Sequence, residues 1–121
     1  MQKLKFHHVG IPTERPLPRD GYSPKLKMTG QGYFDSPYAV EWMNFDADND
    51  LPDIIKTVPH VAFVVDDLDD AIRGKEIIDP PSSPADGVRV AFIVDNGVPI
   101  EFLQFDKPED EVWPHPGKIE I

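Results

Sequence analysis

The chain contains no cysteine. This absence excludes disulfides, thiolate nucleophiles, zinc fingers and iron–sulfur clusters, so any bound metal needs nitrogen and oxygen ligands. Long hydrophobic runs are missing too: the longest, 61–65 and 90–94, fall far short of the roughly 20 residues that span a bilayer. The first residues lack the apolar core of a signal peptide. We therefore expect a soluble, cytoplasmic protein.

Basic residues are scarce. The 12 Lys and Arg residues stand against 22 Asp and Glu residues, which gives a formal net charge of -10. A field of this sign repels phosphate backbones and anionic lipid headgroups, so we expect neither nucleic acid nor a membrane surface as a partner. The 121 residues suffice for one domain, and 14 prolines predict many stiff loops.

The sequence repeats itself. The segment 8–11 (HVGI) matches 60–63 (HVAF), and 40–46 (VEWMNFD) matches 100–106 (IEFLQFD) in chemical type at every position. Internal similarity of this kind predicts a repeated architecture. We therefore predict a single domain, 1–106, of two modules, 1–53 and 54–106, followed by a C-terminal tail, 107–121.

The second module predicts a β-α-β-β-β order. A β-branched and aromatic strand over 58–65 precedes a short helix capped by Asp66 or Asp67 and ended by Gly74. The Asn96-Gly97 pair predicts a tight hairpin. The remaining predictions are a brief strand over 75–78, a proline-rich loop over 79–84, and strands over 88–94 and Val98–Phe105.

The first module has the same outer strands, over 4–11 and 38–45, but no room for the helix. Prolines interrupt the helical stretch, and proline forbids a regular helix, so a proline-rich loop should replace it. The segments 25–29 and 32–34 are the candidates for the middle strands. The fold class predicted from these elements is α+β.

Four polar residues lie at repeat-related positions within apolar strands. Strand alternation groups each with apolar neighbours, and a buried imidazole or carboxylate is costly unless it is paired or binds a metal. A pseudo-twofold would bring these residues together as ligands of a divalent cation, Zn, Ni, Co, Mn or Fe. The candidate metal ligands are His8, Glu41, His60 and Glu101.

Two further histidines have other predicted roles. Alternation turns His7 to the face opposite His8, so we expect it to be structural or exposed, and His115 in the tail should be solvated. For each ligand candidate taken alone, a core or surface role is the alternative.

Three segments resemble the vicinal oxygen chelate superfamily, the group of glyoxalase I, methylmalonyl-CoA epimerase, extradiol dioxygenases and bleomycin-resistance proteins. The segments are 6–12 (FHHVGIP), 59–68 (PHVAFVVDDL) and 97–103 (GVPIEFL), and the resemblance covers about 4–106. It implies two βαβββ modules that form a cupped half-barrel sheet around a metal held by the four residues named above. The proline-rich replacement of the first helix departs from the family pattern.

The resemblance also implies a chemistry. The metal would chelate two neighbouring oxygens of a small hydroxycarbonyl or keto-acid-like substrate, and Glu101 or Glu41 would move the proton in an isomerase, epimerase or glyoxalase-type lyase reaction. A homodimer is implied as well, with the tail and its Trp113 packed across the partner or over its own module. The alternatives are an Fe(II) extradiol-type dioxygenase using His8, His60 and Glu101, and a non-catalytic binding module of the bleomycin-resistance type.

Overall fold

Eight strands form one mixed sheet within residues 2–113, the part of the chain that the computed structural model describes. The sheet curls strongly into a half-barrel, with strand order β2-β3-β4-β1-β5-β8-β7-β6. The strands are β1 Lys5–Pro12, β2 Tyr22–Ser23, β3 Met28–Gln31, β4 Val40–Phe45, β5 His60–Val64, β6 Ile77–Ala85, β7 Val88–Asp95 and β8 Val98–Phe105.

The helices are few and short. In the described part of the chain they are α1 Asp53–Thr57 and α2 Leu68–Ile72, with 3-10 turns at Arg19–Gly21 and Glu109–Glu111. The α+β class is therefore confirmed. None of the helices in this part of the chain has the length and apolar character needed to cross a bilayer.

The strand order is the same on both sides of the sheet centre. The central strands β1 and β5 are antiparallel, β1 pairs in parallel with β4, and β5 pairs in parallel with β8. Gly10 lies opposite Glu41 in one half, and Ala62 lies opposite Glu101 in the other. Residues that the sequence repeat aligns therefore occupy equivalent places in the two halves.

The second half follows the predicted order, with one correction. The hairpin Asn96-Gly97 joins β7 and β8 as expected, and both residues have positive φ, 50° and 77°. The predicted loop over 79–84 is wrong, because β6 runs through it. This strand lies at the sheet edge and its pairing with β7 shifts register three times, which tolerates prolines that cannot donate ladder hydrogen bonds.

In the first half, one of the two predicted middle strands is wrong. No strand forms over 32–34: Gly32 takes a φ of 99°, and its carbonyl accepts hydrogen bonds from the backbone N–H groups of Asp35 and Ser36, which closes a turn. The strand expected over 25–29 lies later, at Met28–Gln31. Residues 13–21, which precede this strand, contain a single 3-10 turn and no regular helix. Helix α1 was not predicted.

The two faces of the sheet bury different clusters. The face covered by α2, called here the helix face, packs Leu68 and Ile72 against the sheet residues Ala91, Ile93 and Phe102. The opposite face carries His8 and His60 and is called here the histidine face. Its apolar cluster consists of Ala62, Val88, Val90, Leu103 and Val112.

The start of the C-terminal tail packs on its own chain. Val112 is buried in the cluster of the histidine face, and the ring of Trp113 meets the Phe105 ring edge-on at 6.2 Å. This is one of the two positions predicted for the tail, and packing across a partner stays a prediction. His115 and the rest of the tail lie outside the described residues.

Candidate metal centre

Two imidazoles meet between the central strands. His8 on β1 lies opposite Ala62, and His60 on β5 lies opposite Gly10. The missing side chain at Gly10 makes room for the His60 ring, because a Cβ there would overlap that ring and lie 2.7 Å from each of its nitrogens. The repeat therefore supplies the histidines, and Gly10 lets their rings approach.

A carboxylate from the neighbouring strand completes a cluster of three. Glu101 Oε1 lies 3.1 Å from His60 Nε2 and 3.3 Å from His8 Nε2, and the two Nε2 atoms are 3.1 Å apart. His60 is 1% exposed, His8 6% and the Glu101 side chain 12%. These three buried residues form a group that could hold a metal ion.

The spacing of the three atoms fits a metal ion. Nitrogen and oxygen ligands bound about 2.1 Å from one ion are about 3.0 Å apart at right angles and about 3.4 Å apart in a tetrahedron. The observed separations, 3.1 to 3.3 Å, fall within that interval. Two histidines and one carboxylate are also a donor set typical of divalent metals that keep open positions for substrate.

Glu41 stands beside this group. Its Oε1 lies 3.8 Å from His8 Nε2, and its side chain is 26% exposed. Gly30 on the next strand leaves space for it, since a Cβ at Gly30 would lie 2.7 Å from Glu41 Oε2. Of the four predicted ligands, the structure thus brings three together and places the fourth next to them, outside the close group.

The two carboxyl groups have opposite pKa shifts. Burial acts to raise the pKa of Glu101, but the hydrogen bonds with His60 and His8 outweigh it and hold this pKa well below its usual range. Burial raises the pKa of Glu41, and the charge of Glu101 adds to the rise, against the opposing effect of His8. Glu101 is therefore held as a carboxylate, whereas Glu41 binds a proton more readily.

The predicted orientation of His7, on the face opposite His8, is wrong, and a β-bulge explains why. Phe6 lies opposite Phe63 and His8 lies opposite Ala62, so His7 is an extra residue in β1 without its own partner on β5. The bulge brings the rings of His7 and His8 together, with their Nδ1 atoms 2.6 Å apart. Strand alternation alone cannot reveal an inserted residue.

Sequence reasoning also missed two residues around His7. Tyr33, in the turn after β3, stacks on the His7 ring at 4.9 Å, and Glu109, in the last 3-10 turn, accepts hydrogen bonds from Tyr33 and Trp113. Burial acts to raise the pKa of Glu109, but the hydrogen bond with His7 helps to lower it overall. Both residues lie in connecting segments outside the strands that the sequence repeat aligns, so no sequence motif marks them.

A scan against models of known protein families finds no match, and a search of curated proteins finds none. The fold and the site themselves support a coarser statement. A curled, eight-stranded half-barrel that carries a His/His/Glu cluster is compatible with a fold of the vicinal oxygen chelate type.

Proposed function

We propose that this protein is a divalent-metal-dependent enzyme of the vicinal oxygen chelate type, which moves a proton next to a carbonyl of a small hydroxycarbonyl or keto-acid-like substrate. One observation carries the proposal: a buried two-histidine, one-carboxylate group lies beside a second carboxyl group, Glu41, with a raised pKa. The first group provides a metal site, and the second provides a candidate base.

The arrangement of the strands supports the family proposal. The order and directions of β1 to β4 match those of β5 to β8, and the residues aligned by the repeat share register positions. A domain over 1–106 with two βαβββ modules accounts for this symmetry. In the first module, the proline-rich segment stands where the second module has α2.

His8, His60 and Glu101 would hold the metal, and Glu41 lies near enough to add a fourth ligand. When bound, a divalent ion such as Zn, Ni, Co, Mn or Fe would act as a Lewis acid on substrate oxygens and acidify the neighbouring C–H bond. The apolar wall beside the ligands, with the Phe92 ring 5.1 Å from that of His60, would limit the entry of water.

The pKa shifts divide the work between the two glutamates. Glu101 is held ionised by the histidines and suits a permanent ligand. Glu41, whose pKa is raised by burial, suits a general base, because proton transfer is most efficient when the pKa of the base lies near the working pH. Glu41 would take the proton from the carbon next to the carbonyl and return it to the same or the adjacent carbon.

The same set of ligands is also compatible with a second candidate function. His8, His60 and Glu101 form the two-histidine, one-carboxylate set that is typical of non-haem Fe(II) oxygenases. An extradiol-type dioxygenase would use this set for a catechol-like substrate and would leave Glu41 without a role as a base.

Hydrogen exchange in deuterium oxide tests the proposal. The metal-loaded protein is incubated with a panel of hydroxycarbonyl and keto acid compounds, and proton NMR follows replacement of the C–H proton by deuterium. We expect exchange with the wild type and a loss of at least about 100-fold with Glu41→Gln. That variant should still retain the metal, because His8, His60 and Glu101 remain. Glu111→Gln, an exposed carboxyl group in the last 3-10 turn, is the matched control.

Three outcomes would contradict this function. If the protein binds none of the divalent ions, both metal-dependent functions are contradicted. Oxygen uptake with Fe(II) and a catechol, unaffected by Glu41→Gln, supports the dioxygenase. Tight ligand binding without exchange or turnover, in the wild type and Glu41→Gln alike, supports the binding module.

A further inference from the structure

The bulge at His7 creates a chain of polar contacts that ends at a proposed metal ligand. His8 Nδ1 lies 2.6 Å from His7 Nδ1, on the side of the His8 ring away from Glu101 and His60. The other nitrogen of His7, Nε2, lies 2.9 Å from Glu109 Oε2 and 2.9 Å from the hydroxyl of Tyr33. The His7 side chain is 7% exposed, so protein groups supply these contacts.

Glu109 determines which nitrogen of His7 carries the proton. An ionised carboxylate can only accept hydrogen bonds, and Glu109 Oε2 already accepts from the hydroxyl of Tyr33 and from Nε1 of Trp113. His7 Nε2 therefore carries the ring proton and donates a hydrogen bond to Glu109 Oε2. In the neutral imidazole, this leaves His7 Nδ1 as an acceptor.

That acceptor in turn determines the state of His8. Two ring nitrogens 2.6 Å apart need one proton between them, and His7 Nδ1 has none to give. His8 Nδ1 must therefore carry the proton and donate a hydrogen bond to His7 Nδ1. The proton stays on His8 Nδ1 whatever occupies the other nitrogen, so Nε2, which faces Glu101 and His60, is the atom left for a metal ion.

We infer that His7 and Glu109 are positioning residues, which fix His8 as a ligand that binds through Nε2 by holding the proton on its Nδ1. The inference rests on the proposed metal site, and it adds a chain of residues outside the ligand set. A ligating histidine whose other N–H is held in this way keeps its ring orientation and binds metal more strongly, and losing such a partner typically costs 10- to 100-fold in affinity.

Two variants of His7 separate hydrogen bonding from packing. His7→Phe fills the space but removes the acceptor, and we expect Zn²⁺ affinity to fall about 10- to 100-fold. His7→Asn places an amide oxygen near the position of Nδ1, which can accept from His8, and it should stay within about threefold of the wild type. Glu109→Gln frees His7 to change tautomer and should weaken binding as His7→Phe does, while Glu111→Gln from the same 3-10 turn should not.

The tautomer itself is read by nitrogen NMR. In the ¹⁵N-labelled full chain, long-range proton–nitrogen couplings should show a protonated Nδ1 on His8, with and without Zn²⁺. Isothermal titration with Zn²⁺ gives the affinities, and circular dichroism shows which variants fold. If His7→Phe does not fold, Glu109→Gln and the nitrogen spectrum of the wild type decide the question.

The outcomes distinguish this inference from the function beneath it. If the wild type binds no Zn²⁺, the proposed function fails, and the nitrogen spectrum alone still tests the hydrogen-bond chain. If the wild type binds but Glu109→Gln or a folded His7→Phe binds equally well, the inference is overturned and the metal site stands. A proton on Nδ1 of His7, with none on Nδ1 of His8, overturns it as well.

Discussion

At the scale of single residues, Gly10 matters as much to the site as the ligands do. It lies opposite His60 across the central strand pair, and the His60 ring fills the space where a Cβ would stand. The His60 ring is almost completely buried, and its Nε2 lies 3.1 Å from Glu101 Oε1, so a displacement of the ring would change this contact. The ligand geometry therefore depends on a residue that has no side chain.

Gly10→Ala should remove most metal binding while the fold survives. The new methyl group displaces the His60 ring and separates its Nε2 from Glu101 Oε1. We expect Zn²⁺ affinity to fall at least 10-fold in a calorimetric titration. Gly74→Ala is the control, because it strains a backbone with a φ of 74° but meets no atom within 4 Å. Equal affinity of Gly10→Ala and wild type would contradict this packing account.

The pH dependence of stability gives a second test at this scale. The pKa of Glu109 is lower in the folded state than the value of about 4.3 for an unfolded glutamate. Unfolding must then take up a proton once the pH falls below about 4.3, so the stability that Glu109 provides is present above this pH and is lost as the pH falls through the folded value.

Glu109→Gln should therefore flatten the acid limb of the stability curve. Urea unfolding between pH 3 and pH 7 measures it, and the gap between wild type and Glu109→Gln should be widest near neutral pH and close on acidification. Glu111→Gln should follow the wild type over the whole range. A gap that widens as the pH falls would show that the sign of the shift is wrong.

At the scale of elements, the structure decides which of two neighbouring residues, Asp66 or Asp67, is the N-cap of α2. Asp67 is the residue used: its side chain accepts a hydrogen bond from the backbone N–H of Asp70. Asp66 is exposed and precedes the cap. The short helix covers the helix face of the second half, so its start fixes the packing of Leu68 and Ile72.

Asp67→Ala should destabilise the protein by about 1 kcal/mol, the usual cost of losing an N-cap side chain. Asp66→Ala should change stability by less than about 0.5 kcal/mol, because the Asp66 side chain is exposed and alanine keeps the backbone N–H that donates to Gln2 Oε1. Urea denaturation of both variants makes the comparison. Equal losses in the two variants would show that the cap contributes nothing specific.

Elements set by local chemistry could be predicted from the sequence, and elements set by distant partners could not. The hairpin at Asn96-Gly97 needs two residues that tolerate positive φ, and asparagine followed by glycine is the residue pair that predicts such a turn. The strand through Pro80 and Pro81 depends instead on its place at the sheet edge. Helix α1, in the connection between the two halves, has no side-chain cap to announce it.

The same distinction applies to the site. The repeat pointed to His8, His60 and Glu101, because matching positions in two symmetric halves meet at the centre of the sheet. It could not reveal the bulge that turns His7 toward His8, which depends on the pairing of β1 with β5. Tyr33 and Glu109 reach His7 from segments that are 26 and 102 residues away in the chain.

At the scale of the whole molecule, the sheet positions a small site within a strongly acidic chain. The formal charge of -10 attracts cations to the protein in general, so weak surface binding of divalent ions is expected in addition to any specific site. The far ends of the sheet also approach each other, since Lys25 Nζ, between β2 and β3, donates to the carbonyl of Ser83 on β6. A specific ion at the centre would stabilise the assembly of both halves.

The most direct test of the account is the metal stoichiometry of the wild type compared with that of His60→Ala. Elemental analysis after loading with each divalent ion and dialysis into ion-free buffer at about 0.15 M salt, which removes weakly held surface ions, should give one ion per wild-type chain and none for His60→Ala. At a free ion concentration about 100 times Kd, binding adds about 2.7 kcal/mol of stability and should raise the Tm by about 10 °C, in the wild type alone. A wild type that retains no ion, or a His60→Ala variant that retains it and keeps the Tm shift, would contradict the proposed metal centre.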